Sequence, residues 1–393
     1  QAFKSRICLF EGTYRKYHEE IGLQSTANDW LTEAANAAKA VIDTKMYALV
    51  SSSTESSYKN LFVQQGVNSE TILNIAYSTE LGVYHDANWY YTSASYGDRL
   101  SLTRKFINTY LNIDGTPFTD LVGHKTMTFQ QETKDRDTRL KQTIRTAGYA
   151  RLNAGQPIET APSFSHTYTG YQPIKWVEAD NALDGGLRNA TNLPIMRYAE
   201  VLLNYAEAKA ELATMTDEDW ASTIGSLRQR AGITQGVSSK PTVVDNYLRT
   251  AYFPGINDPV VLETRRERGV ELALEGLRFY DIIRWKRGEL FSEEARGMYV
   301  AQLGEAIDLN EDGSNDVAFV NGAAGNEPGV IYMNIASTIN GQPNTMVLTE
   351  GSKGEIVWMR NVQRSWHDRM YLYPIPENDL LMNPNLIQNP DWK

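Results

Sequence analysis

Cysteine is almost absent from this sequence: Cys8 stands alone among 393 residues, so no intrachain disulfide can form. It lies in an apolar, helix-patterned stretch, which predicts a buried, inert thiol. The five histidines, His18, His85, His124, His166 and His367, are scattered, and no Cys/His cluster has zinc spacing. No apolar run reaches the 18 residues that a membrane-spanning helix needs. A basic excess is missing too. The net charge of −10 removes the footprint that nucleic acid or an anionic leaflet would require, and predicts a solvated acidic surface. HExxH, GxSxG, GxGxxG and P-loop patterns do not occur. There is no initiator Met and no signal sequence. Residue 1 runs straight into a helical pattern with no N-cap residue before it, from which we expect a preceding segment.

What is present fits a globular protein: 41% hydrophobic and 22% charged residues, on a chain long enough for a sizeable core. Residues 2–20 carry Phe3, Ile7, Phe10 and Tyr14 at three- and four-residue spacing, predicting an amphipathic helix. A second helix is predicted over 29–43, capped by Asn28 or Asp29, with Leu31, Ala35, Ala38 and Ile42 on one face. Two helices joined by a short loop are the unit of tetratricopeptide-like arrays, although the repeat consensus itself is missing. Residues 51–193 are rich in Ser, Thr, Asn, Gly and Tyr, with little helical periodicity and short β-like runs such as Thr71–Tyr77. A loop-rich stretch of that length points to function. Helices are predicted again over 194–213, with Pro194 in its first turn, over 219–231, closed by Gly232, and over 259–287, opened at Asp258-Pro259 and ended at Gly288. Residues 310–356 read as loop, and the Pro-rich end as mostly extended.

Four segments in order carry a resemblance: LPIMRYAEVLLNYAEAKAEL (193–212), RRERGVELALEGLRFYDIIRWKRGEL (265–290), YPIPENDLLMNPNLIQNPDW (373–392), and the looser pair RDTRLKQTI (136–144) with TGYQPIKW (169–176). Together they resemble the SusD/RagB family over essentially the whole chain. The resemblance implies an all-α, α-rich fold: one SusD-like domain over 1–393 of tetratricopeptide-like helix pairs with a long irregular loop region. Its parts are a helical hairpin over 1–50, a loop-rich ligand side over 51–193, and a helical core with the C-terminal motifs over 194–393. It further implies a cell-surface lipoprotein of a Bacteroidetes-type outer membrane, paired with a SusC-like TonB-dependent transporter. The signal sequence, lipidated cysteine and first helices of the family pattern are not in the sequence, and Cys8, inside a helix with no lipobox before it, cannot stand in for that cysteine. Anchoring is therefore an expectation for a segment ahead of residue 1.

Three groups of residues invite a chemical reading. Glu267, Glu271 and Glu275 share one helix face, where paired carboxylates could serve a glycosidase; interleaved Arg268, Arg278 and Arg284 favour an ion-pair network fixing this helix to the one starting at Arg197 and Glu200. The run 308–316, DLNEDGSND, places Asp308, Asn310, Asp312, Ser314 and Asp316 as in the start of an EF-hand loop, with Gly313 at the turn. Its twelfth position is Phe319 rather than Glu. The loop is either a structural calcium site held by Asp308, Asn310, Asp312 and Asp316 or a polar Asx turn. Finally, Trp89, Tyr90, Tyr91 and Tyr96, with Asn88 and Asp86, cluster amid small polar residues. Rings with polar edges suit the apolar faces and hydroxyls of a sugar, and 22 Tyr against 11 Phe agrees with many half-exposed rings. The alternative is that these rings pack the loops onto the helical body.

The reading that follows is non-catalytic capture of oligosaccharides and their delivery to the transporter. A peptide- or glycoprotein-binding RagB-type protein, a glycoside hydrolase on a helical scaffold, and a cytosolic helical-repeat scaffold are the alternatives.

Overall fold

The computed structural model describes residues 1–97 and 99–392. Helices α1 (Ala2–Tyr17) and α2 (Ala27–Asp43) form the expected opening pair, although α2 starts before Asn28 and Asp29, so neither caps it. They do not pack through the large residues that set the periodicity. The contact face of α1 is Ala2, Ser5, Cys8, Leu9, Gly12 and Thr13, while Phe3 and Ile7 stay 63% and 48% exposed. Small residues win because they let the backbones approach: a Cβ on Gly12 would lie 2.8 Å from Leu31 Cγ and 2.9 Å from Leu31 N. The polar members of that face are satisfied locally, Ser5 Oγ donating to Ala2 O and Thr13 Oγ1 to Leu9 O. Cys8 is buried and free, as predicted.

The chain returns to this pair through α3 (Tyr198–Glu211), whose Val201, Tyr205 and Ala208 join Leu9, Leu31 and Ala38 in one apolar cluster. Pro194 is not in its first turn. Leu193–Arg197 instead forms a strand, antiparallel to Thr71–Ile75, and the helix begins only at Tyr198. A proline is tolerated there because the sheet has two strands and so no central position. The next helical segment follows expectation at its end: Gly232 has φ +73° after Ser226–Arg230.

The long helix predicted over 259–287 is two helices. Asp258 caps α4 (Pro259–Glu271) with its carboxylate on the Val260 N–H, 2.8 Å, and Pro259 occupies the first turn as expected. The helix stops at Glu271; Leu274 and Gly276 take positive φ, and α5 (Arg278–Arg284) follows. The carbonyls released at the break find distant donors. Tyr58 Oη reaches Glu271 O at 2.7 Å, Arg197 Nη2 the same oxygen at 2.8 Å, Lys175 Nζ Ala273 O at 2.7 Å, and Trp176 Nε1 Leu274 O at 3.1 Å. Those donors compensate an interruption that helix propensity alone would not predict.

Residues 295–358 depart most from expectation. They carry a three-stranded antiparallel sheet, Ala295–Val300, Gly354–Trp358 and Met346–Leu348, and a second sheet of Ala306–Ile307, Val317–Val320 and Ile331–Asn334. Met298, Val317, Phe319, Met346 and Ile356 close a core over Ile107, Phe129, Leu140 and Tyr171 of the loop-rich region. The fold is therefore helix-rich, 36% helix with 15% strand, and not all-α. The strands are two to six residues long between Gly/Asn turns, too short for a period-two pattern to stand out.

Candidate functional site

The acidic residues of α4, and Glu275 in the break after it, are engaged with cations. Glu271 is contacted by Arg197 Nη1 at 2.6 Å, by Arg139 Nη1 at 2.9 Å and by Arg230. Glu275 takes Arg197 Nε and Lys175 Nζ, both at 2.7 Å, and Glu267 takes Arg228 Nε at 3.1 Å and Arg139. Glu70 bridges Arg197 at 2.7 Å and Arg230 at 3.0 Å. Burial pushes the Glu271 carboxyl up, but Arg230, Arg197 and Arg139 override it and hold the group well below the usual carboxylate range. Burial pulls the Lys175 ammonium down to about 8 against the opposing pull of Glu275. These carboxylates are enclosed and fixed by ion pairs, as expected, but their partners are Arg139, Arg197, Arg228, Arg230 and Lys175; Arg268 and Arg284 pair instead with Glu207 and Asp281. Glu200 lies outside the network, turned to Arg6 at 2.6 Å.

The aromatic cluster sits on a short helix, Ala87–Thr92, and the loop after it. Gly97 lets that loop fold back: a Cβ there would fall 1.6 Å from Tyr90 O. Tyr96 is thereby laid flat on Trp89, ring centroids 3.9 Å apart and planes 8° apart, with Tyr90 edge-on to Tyr96 at 6.2 Å and to Tyr91 at 5.3 Å. Tyr96 and Tyr90 are the exposed members, at 44% and 40%. Trp89 backs Tyr96 and meets Gly186 at its edge, while burial drives the Tyr91 hydroxyl well above its ordinary range. Asp86 orients the stack, accepting Tyr96 Oη at 3.2 Å and Leu187 N–H at 2.5 Å.

Asn88 was expected to face the ligand and does not. It is fully buried, accepting from Glu178 N at 2.9 Å and donating to Glu178 O and Asp184 Oδ1. It clamps the aromatic helix to the 178–184 loop. Its amide satisfies backbone groups that a loop buries, which composition alone could not show.

In the 308–316 loop, Asp308 accepts the N–H groups of Asn310, Glu311 and Gly313, Asp312 that of Ser314, and Asp316 that of Leu309. Asn310 is buried; its amide nitrogen donates to Asp312, and its Oδ1 has no partner among the described residues. Among the described residues no three acidic, His or Cys side chains converge closely enough to hold a metal. Phe319 is core, edge-on to Phe164 at 5.3 Å.

An open cleft of about 780 Å³ that sequence reasoning missed runs between Lys105, Tyr247, Tyr299 and Glu355. Its charges pair with one another, Lys105 with Glu293 at 2.5 Å and Glu355 with Arg104 at 3.1 Å, so it leaves little unmatched for a ligand.

The sequence profile of the SusD family matches residues 69–392. The chain belongs to the SusD family. It is 35% identical to SusD-like protein P2 of Formosa agariphila over 105 residues, 27% of this chain and 19% of that protein. A solved SusD-like protein of Bacteroides fragilis superposes with a TM-score of 0.63 at 20% identity, covering 100% of this chain and 64% of the other. A SusD-like carbohydrate binding protein from the same species gives 0.62 at 21%, covering 98% and 64%. The chain thus spans less than two thirds of the length of these relatives. Among the described residues no helix is long and apolar enough to cross a membrane.

Proposed function

We propose that this chain is a non-catalytic, cell-surface glycan-binding protein that passes oligosaccharides to a SusC-like TonB-dependent transporter. The observation carrying the reading is the Trp89–Tyr96 stack with Tyr90 beside it: an exposed aromatic platform, held rigid by Asp86 and Gly97, on a SusD-family scaffold. A sugar presents an apolar C–H face to such a ring, and the tyrosine hydroxyls lie at its rim. A structural neighbour is described as carbohydrate binding, which agrees. Family membership supports outer-membrane location through a lipid anchor and a transporter as partner.

For the 308–316 loop we propose a structural calcium ion. Support comes from the unpartnered Asn310 Oδ1 and from crowding of like charges: burial, then Asp312 and Asp308, raises the Asp316 carboxyl. Binding would require the side chains to turn inward, Asn310 presenting its oxygen in place of its nitrogen.

Calorimetry against neutral and acidic oligosaccharides tests the glycan reading, with Tyr96→Ala as the variant. Loss of affinity without loss of thermal stability upholds it; undiminished affinity moves the site elsewhere. Peptide binding in place of glycan binding would favour the RagB-type alternative, and release of shorter products would favour hydrolysis.

A further inference from the structure

Next to the aromatic platform lies a group of cations that the ion-pair network does not use. Lys59 Nζ sits 4.8 Å and the Arg145 guanidinium 5.5 Å from the centre of the same ring, Tyr149. Arg151 is beside them, its Nη atoms on the Asp184 carboxylate at 2.6 and 2.8 Å. Among the described residues, Asp184 is the one carboxylate within hydrogen-bond reach of these three cations. Lys59 makes no side-chain hydrogen bond to a described residue, and buried Arg145 makes one, to Ala161 O at 3.1 Å. Four more buried polar atoms here have no partner among the described residues: Arg145 Nε, Arg151 Nε, Tyr149 Oη and His166 Nδ1. Glu159, at the foot of the adjoining hairpin, is turned to the Gly148 N–H at 2.7 Å.

This gathering of like charge is costly in a half-buried place. Burial, then Arg151 and Arg145, pulls the Lys59 ammonium down to about 7. Burial, then Arg145 and Arg99, lowers His166. An anion would relieve both the repulsion and the unpartnered donors. The cations are also continuous with the platform. Asp184 joins Arg151 on one side and, at 3.3 Å, the Asn88 amide of the aromatic helix on the other, and Gly186 touches Trp89. Arg99 donates to Ala94 O in the aromatic loop while its guanidinium lies 5.2 Å over Tyr168.

We propose that Lys59, Arg145 and Tyr149 seat the acid group, a carboxylate or a sulfate ester, of an anionic saccharide whose neighbouring ring lies on the Trp89–Tyr96 platform. The inference rests on the glycan reading and narrows its ligand class to acidic sugars. Charge-assisted hydrogen bonds are stronger than neutral ones, and one to a charged group contributes enough for roughly tenfold in affinity.

The test is calorimetry on the whole protein with four probes: a uronic-acid oligosaccharide, its sulfate-ester counterpart, its carboxyl-reduced neutral form, and sodium sulfate alone. The acidic forms are expected to bind about tenfold more tightly than the neutral one. Whichever acid form binds more tightly identifies the group. Their affinity should fall as pH rises from about 6 to 8, because Lys59 is charged below about 7. Lys59→Gln should remove most of the acidic preference and leave neutral binding unchanged. Should Lys59→Gln fail to fold, the pH dependence of the unaltered protein decides. Equal affinity for the acidic and carboxyl-reduced forms overturns the inference and keeps the glycan reading. Sulfate binding with no saccharide binding upholds the anion seat and removes the glycan reading. Silence from all four probes overturns both.

Discussion

Replacing Glu271 by alanine removes one carboxylate from between three guanidiniums, those of Arg139, Arg197 and Arg230. None of the three can retreat to water, since each is buried, and Glu70, Asp137, Glu267 and Glu275 must then balance them alone. Breaking a buried pair by removing one partner costs about 3–5 kcal/mol. Unfolding entropy of about 2.1 cal/mol/K per residue gives this chain of 393 residues about 0.8 kcal/mol/K. A loss of about 4 kcal/mol therefore lowers Tm by about 5 °C. Glu271→Gln keeps the shape but not the charge and should fall between the two. Acid titration supplies a second reading. The folded Glu271 carboxyl is held below its unfolded value near 4.3, so its contribution is complete above that pH and is lost as pH falls towards the folded value. Melts of unaltered protein and Glu271→Ala should run parallel from pH 7 to 5 and converge below about pH 4. A Tm change under 1 °C, or curves already converging near neutrality, would refute the idea that this carboxylate holds the scaffold.

Tyr96→Ala should weaken oligosaccharide binding about tenfold with little change in Tm, whereas Trp89→Ala should lower both, because Trp89 supports Tyr96 from behind; calorimetry and melts of the same samples separate the two roles. Calcium at a hundredfold excess over its Kd should stabilise a chelated sample by about 2.7 kcal/mol, or about 3 °C in Tm, and Asp308→Ala should abolish the shift; an unchanged melt reduces the loop to an Asx turn. Gly12→Ala should cost about 1–3 kcal/mol, read as a drop in the denaturation midpoint, because the new methyl meets Leu31 backbone as well as side chain. Gentle extraction from the native outer membrane should bring the protein out bound to a β-barrel transporter; migration alone on native gels counts against stable pairing.

How much of this was legible in the sequence depends on which interactions are local. Helices α1 and α2, the Asp258-Pro259 start of α4 and the Gly232 stop are set by residues within a turn of one another, and reading them needed no tertiary knowledge. The break after Glu271 was illegible because its compensation comes from Tyr58, Lys175, Trp176 and Arg197, far away in the chain. The packing face of α1 was misread for a related reason: period identifies a stripe, but close approach over Gly12 selects which stripe is buried. At the candidate site, composition located the aromatic segment yet could not separate Tyr96, which is exposed, from Asn88, which is a clamp.

Three of the four segments that made the family recognisable meet in space. Arg139 comes from RDTRLKQTI, Lys175 and Trp176 from TGYQPIKW, Arg197 from LPIMR, and Glu267, Glu271 and Glu275 from the RRERG segment; they converge on the break between α4 and α5. Away from that network, Tyr371, two residues before the C-terminal motif, accepts the Gly288 N–H at 2.7 Å. Removing any one member of a buried network of this kind costs about 3–5 kcal/mol, because a charge is left unpaired. The aromatic platform and the cations around Tyr149 lie outside it, on short elements and turns where a side chain can change without unpairing anything in the frame. The motifs therefore specify a scaffold, and the residues proposed to contact ligand carry no motif. On the proposed reading, recognising the family and identifying its ligand are separate physical questions that rest on separate residues.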